Sequence, residues 1–431
     1  MKKQLTAREL IAEILIEIFE EGAYGGVALR RRLADSNLER AERAYVTEVV
    51  NGVLRNLYLI DNIINAVASL KTDKMRPFIL SALRSAVYQI KFMENPKNYA
   101  VCNETVGLIK ERGLGTLSGF VNAVLRALVS QKDVAKLPDE TNYPAEYVSV
   151  RYSTPEWLVK EWIARFGYEK TKEMCAANNA PPPVTVCVNT LKTTAEALEL
   201  SLRKDRVDVK AGTLPMSLRL SHTSNIANMN AFNAGEFHVI DESAMRAVLA
   251  LDPKPGDAVL DLCGAPGGKS FLAAELMEDS GSIIVNDIHP HKITLVNDGL
   301  TRLRFKSVKT SVSDAEKLNS NFLNKFDRVL VDAPCTGFGT LRKKPDIKFT
   351  KTESSKAELA ELQRKILTQA ANYAKSGATL VYSTCTLTKE ENEDNAKWFA
   401  ESFPFKLVSK TVILPQEYDS DGFFIAVFNK L

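Results

Sequence analysis

Apolar side chains recur every three or four residues through the first 140 positions, the spacing of helices that bury one face. Leu10, Ile11, Ile14, Leu15 and Ile18 form the first stripe, opened by Thr6 and Glu9 at capping-box spacing and closed at Gly22. Further stripes over 41–57, 59–70, 76–92 and 103–111, and a last one from Gly119, predict an all-helical bundle over 1–140. Past Pro138 the texture changes. A helix is predicted to end near Gly167, Pro181-Pro182-Pro183 cannot continue it, and "VTVCVNT" alternates as a strand does. Weak strand–helix alternation then predicts a small α/β module over 141–235.

From 236 to 431 short apolar runs alternate with helical stripes. Strands are predicted at 258–262, 282–286, 308–312, 326–331 and 378–382, with helices beginning near Gly268, His291, Ser355 and Lys389. Two antiparallel strands should close the chain. This βαβ rhythm predicts a doubly wound α/β domain, so the fold class is multidomain, α plus α/β.

Length and composition narrow the picture only a little. The 431 residues fit two or three domains at about 150 each, and 45% hydrophobic with 25% charged residues is ordinary for a globular protein. No apolar run reaches the roughly 18 residues of a membrane span, and "MKKQLTAREL" lacks the apolar stretch of a secretory signal. A cytoplasmic location without membrane association is expected. The six cysteines show no C-x-x-C pair, and His222, His238, His289 and His291 form no H-E-x-x-H, so no metal site is expected. His289 and His291, flanking a proline, read as surface residues.

A net charge of +3 says little, but its local distribution says more. Arg30-Arg31-Arg32, then Lys71, Lys74 and Arg76, then Arg342-Lys343-Lys344 form basic clusters. Each alone reads as a solvated face; three together point to phosphate backbones.

The candidate chemistry lies at strand ends. "VLDLCGAPGGKS" (Val259–Ser270) is a strand, a glycine-rich turn and a helix start, which lets backbone approach a ligand and favours negative charge. It is neither G-x-G-x-x-G nor a P-loop. Some twenty residues past Gly267, Asp287 ends the next strand, where an acid can hold ribose hydroxyls. These residues alone imply a nucleoside cofactor of unresolved type, with a dinucleotide dehydrogenase or a purely structural turn as alternatives.

Two cysteines change that. In "RVLVDAPCTGFGTL" a buried strand delivers Asp332 and Cys335, and in "ATLVYSTCTLTKEENE" another delivers Cys385. If the sheet is doubly wound, both thiols end parallel strands on the edge that carries Asp261 and Asp287. An acid beside Cys335 opposes its ionisation. Cys385 sits among Ser383, Thr384 and Thr386, ahead of a helix expected from Lys389 whose dipole favours an anion. The residues therefore favour Cys385 as nucleophile.

The stretches "DLCGAPGGKS", "VDAPCTGFGTLRKKPDIK" and "YSTCTLTKEENE" resemble the motifs of RNA cytosine-5 methyltransferases that use S-adenosylmethionine. The amino-terminal "AERAYVTEVVNGVLRN" and "NETVGLIKERGLGTLSGFVNAVLRAL" are similar to NusB-type RNA-binding domains. Together they resemble the bacterial 16S ribosomal RNA methyltransferase B family over nearly the whole chain.

That resemblance implies a NusB-like helical domain, a small α/β RNA-binding module and a Rossmann-like class I methyltransferase domain. It implies S-adenosyl-L-methionine as cofactor, 16S ribosomal RNA as partner, and a monomer. It assigns Cys385 as nucleophile, Cys335 to product release and Asp332 to the base. Cys263, Gly264, Ala265, Pro266, Gly267, Gly268 and Lys269 should surround the cofactor's methionine end, Asp287 its ribose and Asp314 its adenine, with Asp332 also in reach. Arg30 and Arg31, with Arg342, Lys343, Lys344 and Lys348 past the active-site loop, are the candidates for RNA phosphates. Three features depart from the family pattern: Ile240 replaces a usual glutamine, Cys187 a common arginine, and "IHPHKI" lacks an arginine. A transfer-RNA cytosine-5 methyltransferase, or an RNA-binding protein with a dead methyltransferase domain, are the rival readings.

Overall fold

The computed structural model describes residues 5–131, 134–221, 223 and 226–431; His222 lies outside them. The chain divides into two compact units. One is Met1–Ala180 with Leu341–Glu353, and the other is Pro181–Thr340 with Ser354–Leu431.

The first unit is helical, and its start follows from local chemistry. Thr6 Oγ1 accepts from Glu9 N (3.3 Å) while the Glu9 carboxylate accepts from Thr6 N (2.9 Å), closing the expected capping box. Helices Ala7–Phe19, Arg40–Arg55, Leu57–Val67, Pro77–Phe92, Asn98–Glu111 and Ser118–Ser130 pack Ile11, Leu15, Val49, Leu83 and Leu125 into one core. A further helix, Gly25–Ala34, carries the first arginine cluster and has no counterpart in the apolar pattern. It buries only Gly25, Ala28, Leu29 and Leu33. Its cap is non-local: Asp346 Oδ2 accepts from Gly25 N at 3.0 Å.

Helices Pro144–Tyr152, Glu156–Phe166 and Tyr168–Asn179 belong to this unit as well, so it runs past the expected boundary at 140. Ser153 Oγ accepts from Tyr58 N (3.1 Å) and Leu59 N (3.3 Å), which ties the later helices to the earlier ones. The Leu341–Glu353 excursion is held just as firmly. Phe349 meets the rings of Phe19 and Tyr58 edge-on at 5.9 and 5.5 Å, and Arg342 Nε donates to Ala180 O at 3.2 Å.

The second unit opens after the three prolines with a small antiparallel sheet. Strands β1 (Val184–Val188), β2 (Asp208–Ala211), β3 (Ser217–Ser221) and β4 (Phe237–Val239) lie in the order β2-β3-β1-β4. Val186, Val188, Leu198, Leu218, Leu220 and Phe237 fill the space between this sheet and its helices.

The large sheet holds β5 (Ala258–Asp261), β6 (Ser282–Asp287), β7 (Val308–Val312), β8 (Phe326–Asp332), β9 (Ala374–Thr384), β10 (Phe405–Ile413) and β11 (Phe423–Lys430). Its order is β10-β11-β9-β8-β5-β6-β7, with β11 antiparallel to both neighbours and the rest parallel. Val329, Leu330, Val331, Leu380, Val381 and Tyr382 are buried on both faces, as strands covered by helices require. The chain winds outward from β5 through β6 to β7, then returns to β8 on the other side. Ligands of such sheets bind at that switch point, beyond the carboxyl ends of β5 and β8.

Candidate active site

The turn after β5 is shaped by what glycine permits. Gly267 adopts φ +103°, and a Cβ there would lie 2.6 Å from the Phe271 ring. At Gly264 a Cβ would lie 2.5 Å from Asp261 Cγ, so only hydrogen lets the turn fold down onto the strand end. Gly264 N donates to Asn286 O at 2.8 Å. The helix Gly268–Leu276 starts directly from this turn and aims its free N–H groups at the same space. Cys263, Ala265 and Gly268 are partly exposed and Pro266 is exposed, so a ligand can reach the turn.

Acids line the neighbouring strand ends. Asp287 closes β6 and its Oδ1 accepts from His289 N at 2.9 Å. Asp314 follows β7; the backbone N–H of Glu316 and then Lys317 hold its carboxyl below the usual range. Asn286, which sequence reasoning passed over, binds three strand ends together. Its Nδ2 donates to Leu262 O (3.1 Å) and Ser313 O (3.0 Å), and its Oδ1 accepts from Ser313 Oγ (2.7 Å). Asp261 is pushed up to about 6 by burial, eased by Lys269 and by the Ser270 hydroxyl at 2.6 Å. Its Oδ1 has no hydrogen-bond partner among the described residues. A backbone cradle that tolerates no side chain, two strand-end carboxylates and an unanswered acceptor fit a nucleoside cofactor with an amino-acid tail.

The two thiols meet. Strands β8 and β9 run parallel with Asp332 opposite Ser383, and the Sγ atoms of Cys335 and Cys385 lie 3.3 Å apart. Asp332 is oriented from both sides: Lys269 Nζ is 2.5 Å from Oδ2, and Ser383 Oγ donates to Oδ1 at 2.9 Å. Burial opposes charge on Lys269, but Asp332 and Asp261 more than offset it and raise its affinity for the proton. Lys269 thus bridges the glycine-rich turn to the acid of the cysteine site.

One expectation needs correction. The helix after Cys385 begins at Glu393, not near Lys389, so a helix dipole close to the thiol is no argument for its ionisation. What occupies the intervening turn is the buried acid Glu391.

The basic candidates separate. Arg30 and Arg31 are exposed on the Gly25–Ala34 helix, with Arg31 paired to Glu17 at 2.6 Å. Lys343 and Lys344 are exposed on the excursion whose Asp346 caps that same helix. Arg342 and Lys348 are buried, 8% and 2% exposed. Lys348 Nζ donates inward to Asn179 Oδ1 (2.7 Å) and Tyr152 O (3.1 Å), which withdraws it from the phosphate-binding candidates. The surface reading of His289 and His291 agrees with their exposure.

Sequence spacing also concealed a buried trio. Cys187 on β1, His238 on β4 and Glu275 on the helix Gly268–Leu276 bring their ligand atoms within 4.8 Å of one another. His238 Nδ1 lies 3.3 Å from Glu275 Oε1, and Cys187 Sγ lies 3.8 Å from Oε2. Burial raises the Glu275 carboxyl above the usual range, and its contacts with His238 and Cys187 offset only part of that rise. Among the described residues no helix is long and apolar enough to cross a membrane.

Comparison with known proteins places this geometry. Residues 248–429 match the sequence model of the 16S rRNA methyltransferase RsmB/F family. The chain is 35% identical over 447 aligned residues to the probable ribosomal RNA small subunit methyltransferase B of Bacillus subtilis, covering 99% of both chains. The protein belongs to the ribosomal RNA small subunit methyltransferase B family. The corresponding Proteus mirabilis protein is 29% identical, with 100% of each chain covered. Residues 5–130 match the NusB family and residues 154–227 the ferredoxin-like domain of the RsmF/B methyltransferases. The crystal structure of PH0851 superposes with a TM-score of 0.81 at 28% identity, covering 100% of both chains. A methyltransferase homologue from Pyrococcus horikoshii gives a TM-score of 0.59 at 28% identity, covering 66% of this chain and 98% of its own. The family therefore accounts for the helical unit, the small sheet and the large sheet alike.

Proposed function

We propose that this chain methylates C5 of a cytosine in 16S ribosomal RNA, with S-adenosylmethionine as methyl donor and Cys385 as covalent nucleophile. The carrying observation is the pair of thiols 3.3 Å apart at adjacent parallel strand ends, beside an acid fixed by Lys269 and Ser383.

C5 of cytosine is a poor nucleophile. Addition of the Cys385 thiolate to C6 places the electron pair of the C5–C6 bond on C5, which can then attack an electrophilic methyl group. The cofactor supplies that methyl on a sulfonium. Cys263–Lys269 would surround its amino-acid end, Asp287 its ribose and Asp314 its adenine. Asp332 faces the base and accepts from its N3/N4 edge, favouring the protonated ring that C6 addition requires. A base then removes the C5 proton, the C5–C6 double bond re-forms, and Cys385 leaves as thiolate. Cys335, whose Sγ contacts that of Cys385, would assist that last step.

Lys343 and Lys344, with Arg30, supply exposed charge on neighbouring elements of the helical unit and suit a ribosomal RNA backbone. Mapping 5-methylcytosine in ribosomal and transfer RNA, with and without the gene, tests the assignment. Loss of one 16S position supports it, whereas loss confined to transfer RNA rejects the substrate.

A further inference from the structure

The two cysteine loops share a buried hub that the reaction itself does not use. Glu391 is 0% exposed. Its Oε2 accepts from Thr336 N at 2.9 Å and Gln363 Nε2 at 3.0 Å, and its Oε1 from Thr336 Oγ1 at 2.5 Å and Thr388 Oγ1 at 2.9 Å. Thr336 directly follows Cys335, and Thr388 belongs to the loop that carries Cys385. The two loops also touch through Thr336 Oγ1 and Thr386 Oγ1 at 2.7 Å, and Gln363 Nε2 reaches Pro334 O at 2.9 Å. Tyr382 closes the hub from below by donating to Glu391 O at 2.5 Å.

Four donors on one carboxylate fill its roughly four acceptor sites, so the pocket is cut for the ionised form. A buried charge answered only by neutral donors is expensive to keep, and burial does raise this carboxyl above the usual range. Apolar packing could join two loops at lower cost; what it could not supply is a fixed negative charge beside one thiol. The charges around the pair are unequal. Glu391 and Asp332 both bear on Cys335, whose thiol is held well above the usual range by its hydrogen bond to Cys385, then burial, then those charges. The Lys269 ammonium, bonded to Asp332, also interacts with Cys385.

We propose that Glu391 is a positioning residue that locks the Cys335 loop to the Cys385 loop and leaves the proton of the thiol pair on Cys335. The inference rests on the covalent reading above and adds the buried group that holds the two thiol loops together.

The test is alkylation by iodoacetamide from pH 6 to 10, resolved by cysteine with peptide mass spectrometry, on the full chain without RNA or cofactor. In the wild type, Cys385 should react at lower pH than Cys335. Glu391→Gln should lower the Cys335 midpoint by about one pH unit, since it removes a nearby negative charge. It should also reduce kcat by roughly tenfold or more, because small misplacements of reacting groups are costly, while KM for S-adenosylmethionine stays unchanged. Glu391→Asp should restore the Cys335 midpoint but not kcat, as the shorter arm cannot reach both loops. An unchanged Cys335 midpoint in folded Glu391→Gln overturns the proposal, whether or not kcat falls, and reduces Glu391 to a brace. If Glu391→Gln does not fold, Thr388→Ala, which loosens one loop but keeps the charge, should lower kcat severalfold and leave the Cys335 midpoint in place; an undiminished kcat overturns the proposal. A lowered Cys335 midpoint with no RNA adduct in any variant would reject the covalent reaction while leaving the charge effect of Glu391 in place.

Discussion

Lys348 makes the most quantitative demand on the helical unit. Its ammonium is buried among Asn179, Tyr152 and Arg55, and burial pushes its pKa down to about 7 from 10.5. The sign follows from proton counting. Between those two values the unfolded chain binds a proton that the folded chain has released, so stability rises with pH across that window. For these pKa values the folded state should gain about 2 kcal/mol between pH 7 and pH 9 from this residue alone. Lys348→Met isolates that amount. Removing the amine strands Asn179 Oδ1 and Tyr152 O, but that loss is the same at both pH values and cancels in the comparison. Urea denaturation followed by circular dichroism should therefore show the wild type gaining about 2 kcal/mol more than the variant over this interval. Equal pH dependence for the two proteins would refute the reasoning, because it would mean that the acceptors compensate burial completely.

Three further outcomes bear on the substrate sites. Lys343→Ala with Lys344→Ala should weaken RNA binding and reduce the slope of log affinity against log salt by about 0.7–0.9 per lost phosphate contact, whereas Lys348→Met should leave that slope unchanged; filter binding across a salt series reads both. Asp287→Ala should weaken S-adenosylmethionine by at least tenfold in calorimetry and His291→Ala by little, and equal effects would remove Asp287 from the ribose role. Asp332→Asn should lower kcat by on the order of a hundredfold in methyl-transfer assays while the cofactor still binds, and undiminished kcat would exclude it from base recognition.

The large sheet was readable because its physics is local. Buried parallel strands leave uninterrupted apolar runs such as Val329–Val331, and the polar residues that end each run mark the edge where ligands bind. Asp287, Asp332, Cys335 and Cys385 were visible for that reason. The Gly25–Ala34 helix was not, since its cap comes from Asp346 and its apolar face is only a few residues wide. The texture change at Pro138 falls between the stretches matched by the NusB and ferredoxin-like families, 5–130 and 154–227, although Ser153 bonds back to Tyr58 and Leu59. Lys348 read as a surface cation from its neighbours Lys343 and Lys344, yet the excursion turns it inward while leaving them out. Glu391, Asn286 and the Cys187–His238–Glu275 trio share one cause. Each works through partners far away in sequence, and single polar residues at strand ends or in turns carry no periodic signal.

The central claim is that Cys385 attacks the base and Cys335 helps release it, and trapping of RNA on a denaturing gel tests this most directly. With labelled 16S RNA and S-adenosylmethionine, Cys335→Ala should accumulate a protein–RNA adduct that survives denaturation and still carry out one round of methyl transfer. Cys385→Ala should give neither adduct nor methylation. An adduct from Cys385→Ala and none from Cys335→Ala would reverse the two roles, and methylation by Cys385→Ala at the wild-type rate would contradict the covalent account.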